Sequence, residues 1–269
     1  MFKSWLKSKH KSIAKPTSSE ISVAILRLRG EISISAPHIQ DLLNILPQIN
    51  ASEYQALIIS IETTGGTLTC AENIMNWINH LFKRRDLPVI AVIEERCLST
   101  GLAIIAYCDY VIAQPSALLG AFGVIMTWPS AQELRAKFGL LARVYKSAPL
   151  KDFASPYRSP TPDDDAAVLN LINDIHAQFV ELLKSGRNLD SCALNIITDG
   201  RLITGRQALE LGIIDQFGGL ATAFEWLKMQ GSIVQDMPPY QVTFIGNAQP
   251  SDAPSANPLD FLKGLFTST

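Results

Sequence analysis

PVIAVIEERCLSTGLAIIAYCDYVIAQP, from Pro88 to Pro115, decides the fold. It opens on PVIAVIE, a short run rich in β-branched residues, as in a strand buried on both faces. A polar step carrying Ser99 follows, then an apolar helical pattern from about Thr100 to Tyr107. A second strand pattern, YVIAQP, stops at Pro115, which cannot donate to a ladder. Strand, helix and strand in so short a span make a βαβ unit, whose strands run parallel. The hydroxyl at the polar step has two readings. A serine there commonly caps the helix that follows. The same position can hold a nucleophile with its Oγ exposed.

The pattern repeats outward from this unit. SVAILRLRGEI (22–32) and ALIISIE (56–62) read as strands. AENIMNWINHLFKR (71–84) is an amphipathic helix, with Ile74, Trp77, Ile78 and Leu81 at helical spacing. Beyond Pro115, SAQELRAKFG reads as a helix stopped by Gly139, and ARVYKS as a strand. A long helix is expected from Pro162 to about Ser185, with Gly186 breaking it. Proline at its first position costs no hydrogen bond, and the acids Asp163 and Asp164 suit the positive end of the helix dipole. GRQALELGIID and LATAFEWLK add two helical patterns. The expectation is an α/β fold with a mostly parallel sheet and flanking helices. It divides into a basic tail over 1–20, a globular unit over 21–230, and a Pro/Ser/Asn-rich tail over 231–269 that holds the short amphipathic segment NPLDFLKGLF.

The 269 residues are 47% apolar, enough for one substantial core. A net charge of −2 gives no global attraction to nucleic acid. The four cysteines, Cys70, Cys97, Cys108 and Cys192, form no CxxC pair and no Cys/His metal spacing, so neither a metal nor a cofactor is expected. Free thiols favour a reducing compartment. No run approaches the length of a transmembrane helix, and the start lacks the apolar core of a secretory signal. A cytoplasmic protein is therefore expected. In MFKSWLKSKHKSIAK, Phe2, Trp5, Leu6 and Ile13 alternate with lysines. That pattern suits either a solvated tail or peripheral contact with the anionic surface of the inner membrane.

Three features can carry chemistry. TTGG (63–66) follows a strand and precedes a helix, where Gly65 and Gly66 allow backbone N–H groups to face an anion, or simply make a turn. Ser99 is the second. The third is a base, and no histidine offers itself: His10 is in the tail, His38 stands beside a proline, and His80 and His176 lie inside helical patterns. Lysine can replace histidine when its amine is uncharged. Lys151 lies in KSAPLKDFASPYR, a loop after a strand pattern, where a lysine is more often a solvated surface residue.

Taken together these stretches resemble the signal peptide peptidase A family, the S49 serine peptidases, from about Val23 to Lys228. The family's SPGG reads TTGG here. Its ASGGYYIA followed by Asp reads LSTGLAIIAYCD, with Ser99 at the nucleophile and Asp109 in register. Its GSIGV reads GAFGV, Gly120 to Val124. Its SGxYKD loop and SPxR read KSAPLKD and Ser155-Pro156-Tyr157-Arg158. Its DGRxxTGxQAxxxGLVDxxG reads DGRLITGRQALELGIIDQFGG, and Ser99 and Lys151 stand 52 residues apart, the family's spacing.

The resemblance implies a ClpP/crotonase-like fold of repeated ββα/βαβ units and a Ser/Lys dyad. Ser99 would be the nucleophile and Lys151 the general base. N–H groups around Gly65 and Gly66 and at Thr100 would hold the oxyanion. Lysine free in water has a pKa of ~10.4, so such chemistry needs a dry pocket. The family also implies ring-shaped homo-oligomers with active sites near subunit contacts. Three departures stand out. The serine of GSIGV, whose hydroxyl helps hold the lysine amine in the family, is Ala121. The first glycine after the nucleophile is Thr100, and the family's Tyr-Tyr is Leu102-Ala103.

Three functions follow as expectations. The first is a serine endopeptidase that cuts extended, mainly apolar peptides such as signal-peptide remnants or membrane-derived fragments. The second is a catalytically weak or inactive relative that binds peptides as a scaffold, motivated by Ala121 and the altered TTGG and STG. The third is a crotonase-type acyl-CoA enzyme, with Glu94 and Glu95 as candidate carboxylates.

Overall fold

A computed structural model describes residues 22–232 and 241–245. The basic N-terminal segment and NPLDFLKGLF lie outside the described residues. The elements in chain order are β1 (Ser22–Ile32), α1 (Pro37–Ile45), β2 (Ala56–Gly66), α2 (Leu68–Leu81), β3 (Val89–Leu98), α3 (Thr100–Ala106), β4 (Tyr110–Ala113), β5 (Leu118–Gly120), α4 (Gln132–Lys137), α5 (Pro162–Gly186), α6 (Ser191–Ile197), β6 (Leu202–Thr204), α7 (Gly205–Glu210), β7 (Gln216–Phe217), α8 (Leu220–Met229) and β8 (Gln241–Ile245).

The strands form one sheet in the order β6-β5-β3-β2-β1-β8, with β4 pairing β3 and β7. Every pairing is parallel except β5 with β6. The α/β, mostly parallel expectation is met. Successive side chains of a strand leave by opposite faces. In β1, Ala24, Leu26 and Leu28 join the larger core, under α2, α3 and α5, while Val23 and Ile25 join a smaller core against Ala223 and Leu227 of α8. Burial on both faces explains why the central strands are continuously apolar rather than alternating.

Strand β3 is long enough for two partners. Its first half pairs β4 from Ile90 to Ile93, and its second half pairs β5 from Arg96 to Leu98. Ser99 therefore follows a strand end held on both sides, by β2 at Cys97 and by β5.

The patterns over 71–84, 100–107 and 162–185 coincide with α2, α3 and α5 within a few residues. ARVYKS is not a strand: Ala142 to Ser147 are exposed and unpaired with the sheet. Its alternation has no buried face to fill. The stretch read as a C-terminal tail contributes β8, which pairs β1 in parallel from Ser22 to Leu26.

Candidate active site

The strand-to-helix step settles what the Ser99 hydroxyl is not. A capping serine has extended backbone angles and accepts an amide bond from the first helical turn. Ser99 has φ 51° and ψ −121°, and its side chain makes no capping bond. A non-glycine residue in that region is strained by about 1–3 kcal/mol and persists only when its surroundings fix it. They do so here. The Ser99 N–H donates to Gly120 O at 2.8 Å, and Ser99 O accepts from the Leu102 N–H at 2.9 Å. The side chain is left half-buried at the end of β3. A sharp, strained turn of this kind presents a nucleophile's Oγ.

Gly65 packs directly against it. A Cβ on Gly65, at φ 109°, would lie 2.6 Å from Ser99 Cβ and 3.1 Å from its Oγ. TTGG is thus a close approach as well as a turn, and it brings Gly65 and Ser99 together. Buried Thr63 organises it: Thr63 Oγ1 donates to Gly30 O at 2.6 Å and accepts the Gly65 N–H at 2.9 Å. The Gly65 N–H is therefore occupied. The Thr67 N–H donates across to Ile32 O of β1 at 2.9 Å. By strand alternation the preceding Gly66 N–H faces the β3 side, beyond the last ladder pair, Thr63 with Cys97. The first N–H groups of α3, Thr100 included, have no partner within the helix. Of the three residues implied as oxyanion donors, Gly66 and Thr100 keep that capacity.

Lys151 lies on the loop between α4 and α5. It is exposed, on a turn closed by its own N–H to Ala148 O at 3.1 Å. Among the described residues no hydrogen bond or ion pair joins its side-chain nitrogen to a carboxylate or to Ser99. What fixes the loop is its neighbour Asp152. Lys146 Nζ reaches Asp152 at 2.7 Å, and Arg158 donates to both its oxygens at 3.0 Å. Arg158 also forks onto Asp164, a wholly buried carboxylate at the start of α5 that Thr161 caps. The Arg158 guanidinium first, then the Thr161 N–H, holds the Asp164 carboxyl well below the usual carboxylate range. Arg158 and then Lys146 do the same for Asp152. The sequence signal for Asp164 was present in Thr161-Pro162-Asp163-Asp164, but it reads as a helix start and gives no sign of the arginine it receives.

The remaining candidates have structural partners. His38 Nε2 lies 3.1 Å from Glu31 O, His80 meets the Trp77 ring edge-on, and His176 meets Phe122. Asp109 ties Lys83 to the Val89 N–H at the start of β3. Glu94 is engaged by Arg29 and Ser60, which removes it as a free carboxylate base. Burial pushes the Cys108 thiol up to about 12 and Cys97 higher still, so neither is a nucleophile at neutral pH. Cys70 is also buried and Cys192 exposed, and all four cysteines are free. Among the described residues no cluster of His, Cys, Asp or Glu could hold a metal ion, and no helix is long and apolar enough to cross a membrane.

Comparison with known proteins agrees with this geometry. The model of peptidase family S49 matches residues 81–233, which include Ser99, Lys151 and the DGR block. A Synechocystis protein that carries the name of a protease is 30% identical over 210 residues, 78% of this chain and 74% of that one. An Enterococcus faecium protein named for signal peptide peptidase A is 28% identical over 65% of this chain, which spans only about half, 51%, of its length. The chloroplastic serine protease SPPA of Arabidopsis thaliana is 23% identical over 94% of this chain and 38% of its own. With a family model covering more than half the chain, and its motifs lying on the strand ends and loops just described, the protein belongs to peptidase family S49.

Proposed function

We propose that the protein is a serine endopeptidase in which Ser99 is the nucleophile and Lys151 the general base. The observation that carries the reading is the Ser99 turn: a left-handed, uncapped serine wedged against Gly65 between β3 and α3. In the proposed reaction Ser99 Oγ attacks a peptide carbonyl while its proton passes to the lysine amine. The developing oxyanion is met by the N–H groups of Gly66 and Thr100. The lysine then returns the proton to the leaving amine, and water repeats the cycle on the ester. Substrates are extended, mainly apolar peptides, such as signal-peptide remnants or membrane-derived fragments.

Lys151 must approach Ser99 and leave water for this to work. The exposed stretch around it supports a homo-oligomer, in which a second copy of the chain covers the loop and closes the site. Hydrolysis of an apolar quenched-fluorescent peptide tests the reading. Ser99→Ala is expected to bring turnover to background, and unchanged turnover overturns it. The reading as a weak or inactive scaffold relative draws on Ala121, which carries no hydroxyl beside Ser99, and predicts no turnover in any assembly state.

A further inference from the structure

One polar atom beside the nucleophile is unaccounted for. Thr100 is 4% exposed, and among the described residues its Oγ1 is buried without a hydrogen-bond partner. A threonine inside a helix usually hands its hydroxyl to a carbonyl three or four residues back. Thr100 is the first residue of α3, so the residues behind it belong to β3 and its ladder. Leaving a buried hydroxyl unpaired costs about 1–3 kcal/mol, and a buried polar group is almost always satisfied. Valine would have the same shape without that cost. Conversely, Ala121, which follows the Gly120 whose carbonyl receives the Ser99 N–H, has no polar side chain to offer. The chain thus carries a spare hydroxyl at Thr100, next to Ser99, and none at Ala121.

We propose that Thr100 is a positioning residue for the base: its Oγ1 accepts a hydrogen bond from the Lys151 amine when the lysine docks beside Ser99. A neutral amine has two N–H donors and one lone pair. An acceptor on one N–H leaves the lone pair free to take the Ser99 proton. Thr100 serves both ends of the reaction, its N–H facing the oxyanion and its hydroxyl holding the base. The inference rests on the Ser99/Lys151 reading and names a group that holds it together.

The test is steady-state kinetics on the full chain with an apolar peptide. Thr100→Val, close to isosteric, is expected to lower kcat about 10-fold or more while KM stays within about twofold. Thr100→Ser, which keeps the hydroxyl, is expected to stay near wild type. Adding Ala121→Ser to Thr100→Val is expected to recover much of kcat by supplying a hydroxyl at position 121. Thermal melts confirm folding, and Thr100→Ala takes the place of Thr100→Val if the latter is unstable. Overturning results are a Thr100→Val kcat equal to wild type, or a loss that Thr100→Ser shares. In either case abolition by Ser99→Ala leaves the dyad reading standing. If Ser99→Ala or Lys151→Ala retains full turnover, the dyad falls and this role for Thr100 with it.

Discussion

Ser99 and Gly65 meet so closely that Gly65 has no room for a side chain. Gly65 is at φ 109°, and an added methyl would lie 2.6 Å from Ser99 Cβ and 3.3 Å from Leu98 O. Overpacking of this sort costs about 1–3 kcal/mol and would displace the strained turn. Gly65→Ala is expected to lose at least about 10-fold in peptidase activity, with a lowered melting temperature. Gly123→Ala is the matched control, because a methyl there meets nothing within 4 Å. An active Gly65→Ala would mean that the turn does not hold the nucleophile. In the sequence Ser99 was legible from its own pattern as a position, and as a nucleophile only through the family resemblance. Cap and nucleophile place the same residue type at the same step, and only the backbone angles and the missing capping bond separate them.

At the scale of elements, the central strands and long helices were legible because each carries a strong local pattern. The short pieces were not. Strands β5, β6 and β7 have only two or three residues each, held by partners distant in sequence. ARVYKS shows the converse, a strand pattern that no sheet edge takes up. The Lys151 loop was legible as a motif, yet its anchor is an arginine shared by two carboxylates, which no periodicity reveals. Arg158→Ala is expected to free residues 146–160, seen as faster proteolytic nicking there, with the melting of the sheet little changed. Asp152 and Asp164 have depressed folded pKa values, so the stabilisation they give is complete above the ordinary carboxylate value of ~3.9 and lost as pH falls below it. Hydrogen exchange, corrected for its intrinsic pH dependence, is expected to show this loop opening between about pH 4 and pH 2, before the central sheet. Uniform opening would contradict the clamp.

Among the described residues, several large apolar side chains between α3 and α5 are exposed. Ile125 is 89% exposed, Phe138 73%, Leu141 91% and Tyr145 88%, on the segment that packs beside the Lys151 loop through Trp128 with Phe153 and Arg135 with Tyr157. Contiguous apolar surface on a protein is where a partner docks, and these side chains are the place to test for one. A homo-oligomer is expected by light scattering at micromolar concentration. Phe138→Asp with Leu141→Asp is expected to give a folded monomer that has lost peptidase activity. An active monomer would show that no second copy completes the site.

In the proposed reaction Ser99 and Lys151 act as one unit. Intact-mass labelling with a serine-directed fluorophosphonate, on wild type, Ser99→Ala and Lys151→Ala, addresses it most directly. A single adduct on the wild type, absent from both variants, is the predicted result. An adduct that persists in Ser99→Ala, or no adduct on the assembled wild type, would contradict it.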